Sequence, residues 1–165
     1  MIGAPEPLGP DHDISGFESG TASLDTWLVR RAAANQASGA SRVFVASAES
    51  GKVVGYYALA SSAVMPGAAT GRYRRNMPDP IPVVVLGRLA VARNHQGRGL
   101  GRALFQDAAS RVVHAADAIG VRGMIVHALS EEAKDFYLRL GLEPSPLDPL
   151  TLMTTLADLR AAGQK

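Results

Sequence analysis

The sequence predicts an α/β sandwich built on a mixed sheet, and three observations carry that prediction. Residues Ile81 to Val91 are almost continuously apolar, as a central strand buried on both faces is. This run leads through Gly97, Gly99 and Gly101 into a segment of helical period. On either side, stretches of strand composition alternate with amphipathic ones, in the order helix, hairpin, central strand, helix, strand, helix, terminal strand. At 165 residues and 47% hydrophobic content, the chain suits one domain that buries about two-thirds of its unfolded surface.

Residues 5 to 20 are rich in Pro, Gly, Asp and Ser and read as an irregular lead-in or a short edge strand. Ser23 is placed to cap a helix from Leu24 to about Ser38, with Leu24, Trp27, Leu28 and alanines 32 to 34 as its apolar stripe and Gly39 as its stop. Arg42 to Ala48 and Lys52 to Ser62 form a hairpin across Glu49-Ser50-Gly51. Met65 to Pro82 carries four prolines and three arginines, which predicts a surface loop with room for one short helical turn. After the central strand, a helix from about Gly99 to Ala118 lines up Leu100, Leu104, Ala108 and Val112, stops near Gly120, and hands on to a strand over Gly123 to Ala128. Ser130 caps the next helix, which turns Ala133, Phe136, Tyr137 and Leu140 inward and ends at Gly141. Leu150 to Leu156 reads as a strand, although Leu156-Ala-Asp-Leu159 fits a helical extension equally well.

Composition removes several classes of chemistry. With no cysteine there is no disulfide framework, thiolate nucleophile or zinc-thiolate site, and His12, His95, His114 and His127 are too scattered to suggest a metal. His127, on an apolar strand, reads as a core histidine. The N-terminus lacks a signal-peptide pattern and no apolar run reaches the ~20 residues of a membrane span, so a soluble, cytoplasmic protein is expected. Net charge is only +2, yet 14 of the 17 basic residues are arginine, and Arg72, Arg74 and Arg75 cluster around Tyr73. Where the charge lies matters more than its sum.

The segment Leu86-Gly-Arg-Leu-Ala-Val-Ala-Arg-Asn-His-Gln-Gly-Arg-Gly-Leu-Gly-Arg102 has the layout of a diphosphate cradle, in which glycine-rich backbone converges N–H groups at a helix N-terminus and Arg98 and Arg102 add charge. No lysine follows the glycines, as a P-loop needs, and their spacing is wrong for a dinucleotide fingerprint. What fits is Gln96-x-x-Gly99-x-Gly101, which resembles the acetyl-CoA signature of the GNAT N-acetyltransferases. The resemblance implies a GNAT fold over residues 1–165: one domain whose mixed, mostly antiparallel central sheet is splayed at the acetyl-CoA site and flanked by helices. It also implies that Leu89, Ala90 and Val91 offer main-chain groups to the pantetheine arm, while Gln96, Gly97, Arg98, Gly99, Leu100, Gly101 and Arg102 hold the diphosphate, with no metal.

Other stretches narrow the resemblance: Phe17-Glu-Ser-Gly-Thr-Ala-Ser-Leu-Asp-Thr-Trp-Leu28, Asn35-Gln36 with Gly39-Ala-Ser-Arg42, Gly55-Tyr-Tyr57, Arg74-Arg-Asn-Met-Pro-Asp-Pro-Ile-Pro82 and Ala133-Lys-Asp-Phe-Tyr-Leu-Arg-Leu-Gly141. Together they are similar to the acetyltransferase toxins of type II toxin–antitoxin systems, over nearly the whole chain. Ser19-Gly20 stands where such toxins often have Cys-Gly, and Ala92 where an Asp commonly ends the Leu-Ala-Val segment. The resemblance implies acetylation of the α-amino group of aminoacyl-tRNA, arrest of translation, a ribbon-helix-helix antitoxin, a homodimer, and contact with operator DNA only through the antitoxin. It further implies that Tyr137 protonates the departing thiolate as general acid. Arg30, Arg31, Arg42, Arg72, Arg74, Arg75 and Arg93 are the candidates for tRNA phosphate, because arginine forks match phosphate oxygens.

The chemistry of the acceptor points the same way. An α-amine with a pKa near 7.7 to 8.0 is about a tenth neutral at pH 7, whereas a lysine side chain near 10.4 is almost wholly charged. Val83 to Val91 carries no carboxylate to serve as a base, which favours a low-pKa amine. Two alternatives remain at this point: an acetyltransferase of a small amine or protein N-terminus, and a CoA-binding module without turnover. An intact Tyr137 argues against the last.

Overall fold

The computed structural model describes residues 1–163. In chain order its strands are β1 (Glu6–Pro7), β2 (Arg42–Ser47), β3 (Val53–Val64), β4 (Ile81–Val91), β5 (Gly123–His127), β6 (Glu143–Pro144) and β7 (Thr151–Thr155). The helices are α1 (Ala22–Arg30), α2 (Ala32–Ser38), α3 (Gly71–Arg74), α4 (Leu100–Ala115), α5 (Glu131–Arg139) and α6 (Leu156–Gly163), with 3-10 turns at Pro66–Ala68 and Arg93–His95. The strands hydrogen-bond in the order β1-β2-β3-β4-β5-β7-β6. The β1–β2, β2–β3, β5–β7 and β6–β7 pairs are antiparallel and β4–β5 is parallel, so the sheet is mixed and mostly antiparallel, as predicted. By internal packing the chain forms two compact units: Met1–Ala60 with Gly87–Ala108, and Ser61–Leu86 with the chain from Ala109 on.

The first unit is organised by aromatic residues on the β2–β3 hairpin. Tyr56 and Tyr57 are fully buried on adjacent, opposite-facing positions of β3. The Tyr56 ring stacks on Trp27 at 6.0 Å, and its hydroxyl donates to Leu24 O at 2.6 Å, which fixes α1 to the strand. The Tyr57 ring stacks on Phe44 and its hydroxyl donates to Asp107 on α4. Two expectations are corrected here. Thr21, not Ser23, is the N-cap residue, because the Asp25 carboxylate accepts from Ser19 N–H at 3.0 Å and fixes the start of the helix earlier. The single predicted helix is broken at Arg31, whose φ of −121° leaves helical geometry just before fully buried Ala32, so tertiary packing overrides the local alanine propensity.

In the second unit Tyr73, Ile81, Val83, Ile125 and Met153 close around Ala69. Gly123 lets β7 pass close: a Cβ there would lie 2.0 Å from Thr154 O. Gly39 and Gly141 end their helices at φ of +83° and +98°, and Ser130 caps α5 with its Oγ accepting from Ala133 N–H at 3.1 Å, all as predicted. Both readings of the C-terminal segment hold in succession, since β7 ends at Thr155 and α6 starts at Leu156. The helix predicted to reach Ala118 instead ends at Ala115 and loosens into a turn.

Candidate active site

The first unit holds the glycine loop. Beyond β4 the 3-10 turn brings the chain to Gln96, whose side-chain Nε2 donates to Ser19 O at 2.7 Å and to Val91 O at 2.9 Å. That amide nitrogen tethers the loop to the strand it leaves. Gly97 and Gly99 adopt φ of +77° and +82°, and no atom lies within 4 Å of where a Cβ would stand at either. Glycine is therefore required there by backbone conformation, and the space over the loop stays open. Gly101 does not share this role: it lies in the first turn of α4 and is not among the glycines with positive φ. Arg98 and Arg102 are exposed and without an ion pair among the described residues. His95, Arg98, Gly99 and Leu100 line a cleft of about 350 Å³ together with residues 2–5. Ala90 is buried, while Leu89 and Val91 are half-buried.

The second unit holds Tyr137, in the second turn of α5. Its ring lies edge-on to Phe136 at 5.1 Å and only 7% of the residue is exposed. Burial pushes the phenol above the ordinary tyrosine value of 10.0, so it keeps its proton across the neutral range. The β4–β5 ladder runs from Val84–Met124 to Leu86–Val126, and β5 continues one residue further, to His127. His127 is exposed, not a core residue as expected, because β5 stops before Ala128 and its last side chain emerges. Its Nδ1 lies 2.9 Å from Thr151 Oγ1, which in turn donates to Asp148 Oδ2 at 2.9 Å. The Leu150 N–H, the Thr151 hydroxyl and, more weakly, His127 hold the Asp148 carboxyl below the usual carboxylate range.

The predicted phosphate-binding arginines divide by what they already touch. Arg72 pairs with Asp158 and, at 3.3 Å, with Glu143. Arg42 donates to Gln36 O at 3.1 Å, and Arg93 lies 3.6 Å from Glu18. Arg30, Arg31, Arg74 and Arg75 are exposed and without an ion pair among the described residues. A residue that sequence reasoning missed is Arg122, which donates to Tyr73 O at 2.8 Å and Arg72 O at 2.9 Å and so clamps the end of α3. Arg88, also missed, lies over the Trp27 ring at 4.8 Å. Neither has a local signature, since their partners are remote in sequence. Among the described residues no group of three or more His, Asp or Glu side chains is placed to hold a metal ion. Among the described residues no helix is long and apolar enough to cross a membrane.

Residues 39–144 match the family described as the acetyltransferase (GNAT) domain. The chain is 52% identical to a tRNA-acetylating toxin of Mycobacterium tuberculosis over 158 residues, 96% of this chain and 95% of the relative. The structure superposes on that of AtaT complexed with acetyl-methionyl-tRNAfMet with a TM-score of 0.89, at 28% identity, covering 98% of each chain. A mutant AtaT toxin bound to the C-terminus of the antitoxin AtaR and acetyl-CoA gives a TM-score of 0.83 at 27% identity, covering 100% of this chain and 98% of that one. The glycine loop, the sheet that leads into it and these likenesses agree, and the chain belongs to the GNAT acetyltransferase family.

Proposed function

We propose that this chain transfers the acetyl group of acetyl-CoA to the α-amino group of an aminoacyl-tRNA, which stops translation, and that a ribbon-helix-helix antitoxin restrains it. The observation that carries the reading is the 52% identity, across 96% of the chain, to a relative named for tRNA acetylation. We read residues 1–165 as one catalytic domain, active as a cytoplasmic homodimer that meets operator DNA only through the antitoxin.

Residues 97–102 hold the diphosphate of acetyl-CoA on their N–H groups, with Arg98 and Arg102 supplying charge. Fit to that ligand is supported by the left-handed Gly97 and Gly99 and the open space above them. The main chain of Leu89 to Val91 holds the pantetheine arm. N–H groups at Leu89 and Ala90 stabilise charge on the thioester oxygen, a contribution of up to roughly 3 kcal/mol per donor. Tyr137 gives its proton to the departing sulfur. Arg74, Arg75, Arg30 and Arg31 contact tRNA phosphates directly, whereas Arg42, Arg72 and Arg93 first have to give up the partners they hold.

The test incubates the protein with acetyl-CoA and charged total tRNA, digests with nuclease, and assays for N-acetylated aminoacyl-adenosine. That product is expected. Its absence with every charged tRNA, together with efficient acetylation of a free amine or peptide, would replace this reading with a general acetyltransferase.

A further inference from the structure

The reaction leaves one proton unassigned. The amine nitrogen forms a bond to the acetyl carbonyl carbon, the carbon–sulfur bond breaks, and the sulfur takes the Tyr137 proton; the nitrogen must then lose a proton of its own. Tyr137 is protonated and cannot receive it, and Val83 to Val91 offers no carboxylate. We propose that His127 Nε2 takes the proton from the acceptor amine, and that Thr151 and Asp148 hold the imidazole in the tautomer this requires.

Four features of the second unit carry the assignment, which rests on the proposed function for the identity of the amine. The first is placement. The last β4–β5 rung is Leu86–Val126, so His127 is the first residue of β5 past the point where the ladder stops. Secondly, the side chain is exposed, so an acceptor can reach it. Thirdly, its tautomer is dictated by its neighbours. The Thr151 hydroxyl has one proton and donates it to Asp148 Oδ2, so toward His127 it can only accept. Neutral His127 therefore carries its proton on Nδ1, and Nε2 is a lone pair with no partner among the described residues. Asp148 is the carboxylate behind it, reached through the Thr151 hydroxyl. Lastly, acid and base lie on one continuous segment: His127 ends β5, Ser130 caps the next helix, and Tyr137 lies in that helix. His127 is thus a catalytic residue, with Thr151 and Asp148 as positioning residues.

His127 also opposes Thr151 at an end rung of the β5–β7 ladder, so a purely structural role has to be separable. The experiment compares wild type, His127→Ala, His127→Gln, Thr151→Val and Tyr137→Phe in the full chain, with charged tRNA and with a peptide amine as acceptors. His127→Ala and His127→Gln should lose about 100-fold or more in kcat. Their affinities for acetyl-CoA and tRNA should stay within about two-fold of wild type, and added imidazole should restore part of the His127→Ala rate but none of the Tyr137→Phe rate. In ¹⁵N NMR, neutral His127 should be the Nδ1–H tautomer in wild type and a mixture in Thr151→Val. Wild-type turnover in both His127 variants, a loss that imidazole does not repair, or an Nε2–H tautomer overturns the assignment. Imidazole-repairable loss seen only with the peptide amine would retain His127 as the base and discard charged tRNA as the acceptor.

Discussion

The Tyr137 phenol is kept protonated by its surroundings. Burial lifts its pKa, so it holds its proton across the neutral range and cannot act as a base there. Replacing it with Phe keeps the ring against Phe136 and removes only the hydroxyl, at a stability cost of roughly 1 kcal/mol. Tyr137→Phe is therefore expected to lose about 10²- to 10⁴-fold in kcat with unchanged acetyl-CoA affinity. Steady-state kinetics beside a thermal melt checks this, and full activity would return Tyr137 to a packing role. At Gly99 the constraint is the backbone. Any side chain there meets the cost of a left-handed angle, roughly 1 to 2 kcal/mol, and Asp adds negative charge where a diphosphate is proposed to sit. Calorimetry should find acetyl-CoA binding abolished in Gly99→Asp; since no protein atom lies within 4 Å of the new Cβ, the chain should remain folded.

The segment around α3 shows how an element can be held rigid while its outer charges stay available. Thr70 caps the helix, Tyr73 anchors it at 2% exposure, Arg122 grips its last carbonyls, and Arg72 pairs with Asp158 and Glu143. Arg74 and Arg75 are left at the surface. Replacing both with Ala should lower the log–log salt slope of tRNA binding by about 0.7 to 0.9 for each phosphate that is no longer neutralised, with acetyl-CoA affinity untouched. An unchanged slope in a filter-binding titration would remove this element from the RNA interface. Much of this level of structure was legible in the chain itself. The apolar run Ile81 to Val91, the glycines after it, the Ser130 cap and the Gly39 and Gly141 stops are local signals, and each element formed where its signal lay. What escaped was set by distant partners. Arg72 reads as a free cation until Asp158, 86 positions away, comes to meet it. His127 reads as buried until β5 stops one residue short, and its partner Thr151 is 24 positions on.

At the scale of the whole molecule, burial displaces the ionisation of three tyrosines strongly upward. Burial raises the pKa of Tyr56, Tyr73 and Tyr137 above 10.0, so the folded state holds these protons more tightly than the unfolded state does. The stability they contribute is fully present below pH 10 and is lost as pH rises above it toward the folded-state values. Urea unfolding should show this as a fall in the transition midpoint beginning near pH 10. Replacing Tyr73 with Phe should make the fall shallower, and an unchanged slope would show that the Tyr73 hydroxyl is not a source of it. The first compact unit is discontinuous in sequence, and that fact reaches into biosynthesis. Residues 1–60 cannot complete their packing until Gly87 to Ala108 have been made, and at roughly 5 to 20 residues per second a ribosome takes about 2 to 10 s to travel from Ala60 to Ala108. For most of that interval the nascent chain has no glycine loop, and Tyr137 comes later still. On the function proposed above, a chain that acetylates charged tRNA cannot act until most of its length has been synthesised.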